Sequence, residues 1–100
     1  MKELSDEQNE LLTRVDEVLH YIWDPISVNG VPRARDEYTS YAQRVFSMLI
    51  SGETEGAISD YLVKIRVTWM GLGSREEKTR ENEVADILTD WRDAILIDRR

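Results

Sequence analysis

The chain has 100 residues, the size of one domain, and 41% of them are hydrophobic, so we expect a single domain over residues 1–100 with one modest core. Charged residues make up 33%, and the formal net charge of −7 disfavours nucleic acid and anionic membranes as partners, because both would be repelled. The absence of cysteine excludes disulfides, thiolate zinc sites and cysteine nucleophiles.

The N-terminal stretch shows no targeting signal. It is mostly polar and acidic and lacks the apolar centre of a signal peptide. No apolar run approaches the roughly 18 to 20 residues that span a bilayer. We therefore expect a cytoplasmic protein.

Apolar residues at spacings of three and four predict four amphipathic helices, of which the first covers residues 5–23. Ser5 and Gln8 form a capping box that satisfies two free backbone donors at its start. The helix should stop before Asp24, because the ring of Pro25 disfavours helical geometry in the residue that precedes it. Its apolar stripe contains Leu4, Leu11, Leu12, Val15, Val18, Leu19 and Ile22.

The second and third helices are predicted at residues 35–51 and 54–70. Thr54 is a suitable N-cap for the third helix, and Gly71 can adopt the left-handed conformation that commonly ends a helix. The aromatic residues that fall on the predicted stripes are expected in the core: Tyr38, Tyr41, Phe46, Tyr61, Trp69 and Trp91.

The fourth helix is predicted at residues 75–97, opened by a capping box of Ser74 and Glu77. Its apolar stripe begins only at Val84, so the helix should pack mainly through its second half. Four such helices with short connections favour an all-α fold, an antiparallel four-helix bundle with up-down-up-down connectivity and a Pro/Gly-containing loop after helix one. A helix-turn-helix DNA reader is disfavoured, because no helix has a basic face.

The connector after helix one is the longest interruption of the helical pattern. Asn29 and Gly30 tolerate positive φ, so residues 28–31 are expected to form a tight turn. Trp23 is expected to cover one end of the bundle, and Asp24 either to cap a turn or to pair with an arginine, Arg33 or Arg35. The alternative is that Trp23 and Asp24 form a recognition surface, since tryptophan is enriched at binding hot spots.

The connector also carries a resemblance. The string Val18-Leu19-His20-Tyr21-Ile22-Trp23-Asp24-Pro25-Ile26, followed by Pro32 and then Asp36-Glu37-Tyr38, resembles a family of small bacterial all-helical domains of unknown function. That family is marked by a Trp-Asp-Pro-Ile box and an Asp-Glu-Tyr box, and often has a glycine where this chain has Ser27. The resemblance implies a compact helical fold and brings no established activity or catalytic residue.

One motif has the spacing of a metal site. Glu17 and His20 form Glu-x-x-His, which places a carboxylate and an imidazole on one helical face in di-iron bundles. Those sites need the motif twice, and this chain has one histidine. A mononuclear site that adds Asp16 is the alternative to an exposed or half-buried histidine near a helix end. We expect no metal and no cofactor.

The remaining polar patterns do not predict catalysis. Two acid pairs at helical spacing, Glu77 with Glu81 and Asp86 with Asp90, could do acid–base chemistry only if burial separated their pKa values, and a solvated face with weak ion pairs is favoured. The stretch from Gly71 to Ser74 lacks the lysine of a phosphate-binding loop, and no serine lies in a nucleophile elbow. We therefore expect no enzymatic activity.

The leading functional hypothesis is a non-enzymatic interaction protein that uses an acidic helical surface to bind a basic protein. Its specific form is an immunity or antitoxin protein whose carboxylates, Asp6 and Glu10 among them, neutralise a basic toxin and steer association. The candidate partner-binding residues are Asp16, Glu17, Trp23, Asp24, Asp36 and Glu37. The competing hypothesis is a homo-oligomeric structural or adaptor protein that dimerises through Trp69, Met70 and Leu72 or through the connector.

Overall fold

A computed structural model describes residues 3–98, which contain four α-helices and no β-strand. The predicted all-α class is therefore confirmed. The helices are α1 (Asp6–Val18), α2 (Thr39–Ile50), α3 (Glu55–Lys64) and α4 (Thr79–Arg92). Helix α4 packs against the other three helices, and α1 also packs against α2. None of the helices in the described part has the length and apolar character needed to span a bilayer.

Three of the helices continue into a π-helical turn. These turns are Leu19–Trp23 after α1, Ile65–Trp69 after α3 and Asp93–Ile97 after α4. Each is closed by a hydrogen bond to the fifth residue back, as from the Asp24 N–H to the Leu19 carbonyl at 3.0 Å. A π turn holds more residues than the 3.6 of an α turn, so the side chains in it are rotated away from the continued α-helical stripe.

This rotation overturns two predicted burials. Ile22 belongs to the predicted stripe but is 39% exposed, whereas the next residue, Trp23, is buried at 1%. Trp69 was expected in the core and is 71% exposed. In both places the regular 3.6-residue period that underlies the prediction ends where the π turn begins.

The predicted N-terminal caps are confirmed where the capping side chain bonds to a backbone group three residues away. The Ser5 and Gln8 capping box is present, and the Thr54 hydroxyl accepts a hydrogen bond from the Ala57 N–H at 3.1 Å. Gly71 has a φ of +69°, in the left-handed region that was predicted for it.

Two predicted helix starts are wrong. Helix α2 begins at Thr39 rather than at residue 35, because the chain first forms a 3-10 turn at Pro32–Ala34. Helix α4 begins at Thr79 rather than at residue 75. The predicted capping box of Ser74 and Glu77 is absent, because the backbone carbonyls of both residues instead accept hydrogen bonds from an arginine of the preceding segment.

The core lies between all four helices and follows most of the predicted stripes. Its largest fully buried side chains are Trp23, Tyr38, Leu11, Leu19, Leu49, Ile58, Leu62, Leu88 and Ile95. Tyr41, Tyr61 and Trp91, which were predicted in the core, are only partly buried and pack against its margin. Burial of this apolar surface holds the helices together, and it fixes the connector, whose Trp23 belongs to the core.

Candidate functional site

The carboxylate of Asp24 organises the connector. Its Oδ1 accepts hydrogen bonds from the Val28 N–H and the Tyr38 hydroxyl, both at 2.7 Å, and its Oδ2 accepts from the Asn29 N–H at 3.0 Å. The Tyr38 oxygen in turn accepts from the Ile26 N–H at 3.2 Å. Asp24 therefore caps the turn, which is one of the two structural roles predicted for it.

These hydrogen bonds shift two pKa values in opposite directions. Partial burial raises the pKa of Asp24, but hydrogen bonds from Val28, Tyr38 and Asn29 to the charged carboxylate outweigh burial and hold the pKa below its usual value. Burial raises the pKa of Tyr38, and the hydrogen bond to Asp24 raises it further, because a phenolate beside that carboxylate would be repelled. The pair is therefore held as an ionised carboxylate and a neutral phenol.

The positive φ angles of the connector lie at residues other than those predicted. Asp24 has a φ of +32° and Ser27 a φ of +57°, whereas Asn29 and Gly30 are not in the left-handed region. The tight turn over residues 28–31 still forms, closed by a hydrogen bond from the Val31 N–H to the Val28 carbonyl at 2.9 Å. Ser27 thus adopts a conformation that glycine takes at lower cost, at the position where the resembled family often has glycine.

A second polar centre, beneath the connector, joins α1, α3 and α4. The Trp23 indole Nε1–H donates to Oε2 of Glu81 at 2.8 Å. The Arg66 guanidinium donates to both carboxylate oxygens, from Nε to Oε2 at 3.1 Å and from Nη2 to Oε1 at 3.2 Å. Glu81 is only 2% exposed and has little contact with water. Its charge is instead stabilised by the bidentate pair with Arg66 and by the indole N–H.

Arg66 also holds the loop before α4. Its Nη1 donates to the Leu72 carbonyl at 2.9 Å, and its Nη2 donates to the carbonyls of Ser74 and Glu77. One guanidinium therefore connects a buried carboxylate with three backbone carbonyls, and it fixes a segment that has no helix of its own. Gly73, with a φ of +68°, lies so close to Arg66 that an added Cβ would collide with the guanidinium.

A shallow cleft of about 360 Å³ opens above this centre. It is lined by Trp23, Asp24, Pro25, Ser27, Arg66, Glu77, Arg80 and Glu81. The charged groups in the lining are largely engaged within the chain, since Arg80 also donates to the Ile22 carbonyl at 2.7 Å. The arrangement thus fastens the connector to α4.

The sequence prediction that Glu81, paired with Glu77, lies on a solvated face is wrong, because Glu81 is buried. Arg66 was not identified from the sequence, although one signal pointed to both residues. Glu81 lies three and seven residues before Val84 and Leu88, so it occupies the apolar stripe of α4. A carboxylate in such a position needs a buried cation or several donors. On the predicted third helix, Arg66 stands between two apolar residues, Ile65 and Val67, and was therefore a candidate for this buried cation.

The predicted Glu-x-x-His residues are engaged separately. Asp16 pairs with Arg35 at 2.9 Å, and Glu17 pairs with Arg14 at 3.0 Å. His20 is buried at 2%, contrary to the exposed or half-buried alternative, and its Nδ1 has no hydrogen-bond partner among the described residues. No group of three or more His, Asp or Glu side chains in residues 3–98 is arranged to hold a metal ion.

The six predicted partner-binding residues fall into three groups. Trp23 is buried in the core, and Asp24 is half-buried with its carboxylate oxygens hydrogen-bonded within the chain. Asp16 and Glu17 are half-buried and ion-paired. Asp36 and Glu37 are exposed beside the connector.

A different set of carboxylates faces solvent on α4. Glu83, Asp86 and Asp90 lie at spacings of three and four, which places them on one face, and all three are exposed. Glu55 of α3 joins this face, because its Oε1 accepts a hydrogen bond from the Thr89 hydroxyl at 3.2 Å. We refer to Glu55, Glu83, Asp86 and Asp90 as the acidic face. None of the four forms an ion pair with a described residue.

Comparison of the chain with protein-family models, with curated proteins and with solved structures gives no match. The resemblance carried by the Trp-Asp-Pro-Ile box therefore stays a prediction.

Proposed function

We propose that this chain is a non-enzymatic interaction module that binds a partner protein with a basic surface through the acidic face. One observation carries the proposal, namely that four exposed carboxylates on α3 and α4 form no ion pair with a described residue. Together with the net charge of −7, they attract a cationic surface and accelerate its association.

Helix α4 is a rigid support for such a face. Its other side carries Val84, Ala85 and Leu88, which are fully buried in the core. The backbone positions of Glu83 and Asp90 are therefore held at a fixed spacing, so only their side chains lose conformational entropy when a partner with matching cations binds.

The specific form of the proposal is an immunity or antitoxin protein that neutralises a cationic toxin. In that form the acidic face occupies the basic surface on which the toxin binds a polyanionic target. Asp36 and Glu37 are exposed and remain candidate contributors. We also propose that the helices alternate in direction, which is supported by the packing of α1 on α2 and of α3 on α4.

Site-directed photo-crosslinking tests the proposal. A photoreactive amino acid replaces Ala94, which is exposed and four residues beyond Asp90, and crosslinking is performed in the source cell. We expect a captured protein with a basic surface, and we expect capture to be lost in the neutralised variant Glu83→Gln/Asp86→Asn/Asp90→Asn.

The control, Asp60→Asn/Glu76→Gln, removes exposed charge outside the acidic face and outside the other candidate residues, and it should leave most of the capture intact. Capture that survives neutralisation of the acidic face would contradict the proposal. For the immunity form, the captured protein should arrest growth when expressed alone, and co-expression of this chain should restore growth.

The homo-oligomer hypothesis has one observation in its favour, the 71% exposure of Trp69. Met70 and Leu72, the other residues of the predicted dimer patch, are half-buried. Light scattering distinguishes the two hypotheses, because the interaction module is expected to be a monomer in the absence of its partner.

A further inference from the structure

A groove of about 500 Å³ lies between α2 and the end of α3, away from the acidic face. It is lined by Ser40, Tyr41, Tyr61, Lys64, Ile65 and Trp69. Four of these six side chains are aromatic or aliphatic, one is a cation, and none is a carboxylate. The groove is therefore more apolar than the rest of this acidic chain, and the charge in its lining is positive.

Trp69 is the most exposed large hydrophobic side chain in the described part of the chain, at 71%. The π turn rotates it out of the core and sets it against the groove, beside Ile65 at the start of the same turn. An exposed indole next to tyrosines is the composition of a binding hot spot, where tryptophan and tyrosine are enriched. Burial also raises the pKa of Tyr61, so this wall of the groove is already partly shielded from water.

A second cation lies at the rim. Arg44 follows Ser40 by four residues and Tyr41 by three, so it lies on the face of α2 that lines the groove. Its positive charge also acts on the Tyr61 hydroxyl, which places it near the opposite wall. Lys64 and Arg44 thus flank the aromatic floor.

The two cations decide which occupant fits. A second copy of the chain, docked through the same surface, would bring Lys64 and Arg44 against their own counterparts. A single-stranded nucleic acid could stack on the aromatics, but its backbone carries a charge at every nucleotide along its length, whereas the cations at the groove are Lys64 and Arg44. A short peptide segment with a few carboxylates around one apolar anchor can do both: its carboxylates pair with the two cations, and its anchor packs against the indole.

We propose that this groove binds an acidic peptide segment of another protein. An aromatic or aliphatic anchor of the segment packs against Trp69 and Tyr61, and carboxylates on either side of the anchor pair with Lys64 and Arg44. The groove and the acidic face share no residue, so this binding does not depend on the function proposed above. The chain would then connect an acidic segment with a basic partner.

Selection from a displayed library of random short peptides, on the immobilised full-length chain, tests the inference. We expect the enriched peptides to share an apolar anchor flanked by Asp or Glu. Fluorescein-labelled copies should bind, by anisotropy, about tenfold or more weakly to Trp69→Ala, the loss expected when a tryptophan anchor is removed. Binding should weaken similarly for Lys64→Glu/Arg44→Glu.

Tyr21→Ala is the matched control. Tyr21 is also an exposed aromatic residue, at 56%, and it also lies beside a guanidinium, that of Arg35 at 5.3 Å from the ring centre, but it is outside the groove. Its removal should leave peptide affinity unchanged. In the wild-type protein, the indole N–H resonance of Trp69 should shift on peptide addition, whereas that of buried Trp23 should not.

Four outcomes would overturn the inference. They are the enrichment of no peptide, enriched peptides without carboxylates, a Trp69-dependent dimer in light scattering, and displacement of the peptide by an oligothymidylate probe at equal concentration. Circular dichroism of Trp69→Ala serves as the folding control, and a normal helical spectrum is expected because the side chain is mostly exposed. The shift of the Trp69 resonance is measured in the wild-type protein, so this result does not depend on whether a variant folds.

Discussion

Replacing Glu81 with Gln tests whether the buried polar centre holds the fold together. The substitution keeps the shape of the side chain and removes its charge. One oxygen remains to accept from the Trp23 indole and from Arg66 Nε, but an amide NH₂ now faces Arg66 Nη2, a donor opposite a donor. The variant thus isolates the charge and one hydrogen bond from the packing.

The magnitude follows from the contacts. A hydrogen bond to a charged group contributes about 1.5 to 3 kcal/mol and a neutral one about 0.5 to 1.5 kcal/mol, so two weakened bonds and one lost bond amount to about 3.5 to 6 kcal/mol. This agrees with the roughly 3 to 5 kcal/mol expected when a buried ion pair is broken. Solvent screening is small, because the side chains of Arg66 and Glu81 are only 12% and 3% exposed. The loss is a large part of the roughly 5 to 15 kcal/mol that stabilises a domain.

Urea unfolding followed by circular dichroism measures this loss as a change in midpoint at constant slope. Glu83→Gln is the control, since Glu83 lies on the exposed side of the same helix, and its effect should stay within about 0.5 kcal/mol. A loss below about 1 kcal/mol for Glu81→Gln, the value typical of a surface pair, would refute the reasoning. In a double-mutant cycle with Arg66→Gln, additivity within about 0.5 kcal/mol would refute the coupling.

The connector gives three further predictions. Asp24→Asn should lower the free energy of unfolding by about 1 to 2 kcal/mol at neutral pH. Because the pKa of Asp24 is lowered in the folded state, this deficit should disappear as the pH falls below about 4. A deficit that is independent of pH would contradict the role of the Asp24 charge. Tyr38→Phe should also destabilise by about 1 to 2 kcal/mol, and since the pKa of Tyr38 is raised in the folded state, the gap to wild type should narrow above about pH 10 in urea titrations. Ser27→Gly should raise the free energy of unfolding by up to about 1 kcal/mol, seen as a higher midpoint of thermal unfolding. Ser47→Gly, the control within helix α2, should lower the free energy of unfolding by about 1 kcal/mol.

The parts of the fold that could be predicted are those fixed by neighbours in sequence. The Ser5 cap depends on a residue three positions away, and the left-handed Gly71 depends only on its own missing side chain. The stripes likewise need nothing but the α-helical period. From Leu11 to Leu19, where that period holds, four of the five predicted residues are buried and the fifth, Leu12, is partly buried against the core.

The parts that could not be predicted depend on long-range contacts. No local pattern distinguishes a π turn from a further α turn, so the exposure of Ile22 and Trp69 was not predicted. The start of α4 was predicted too early for a similar reason. Arg66, which lies outside the predicted helix, 8 and 11 residues before Ser74 and Glu77, donates to their carbonyls, and the loop that it holds takes the place of a first helical turn.

The two proposed surfaces should respond differently to salt, which allows them to be assigned independently. Binding at the acidic face rests on Glu83, Asp86 and their neighbours, all exposed, and the Debye length is about 10 Å at 0.1 M salt, so association should slow steeply as salt rises. Binding at the groove rests mainly on burial of the Trp69 indole, which is apolar and which salt does not screen. Its affinity should therefore fall only modestly over the same range. If both interactions lost affinity equally, the indole would not be the anchor of the groove.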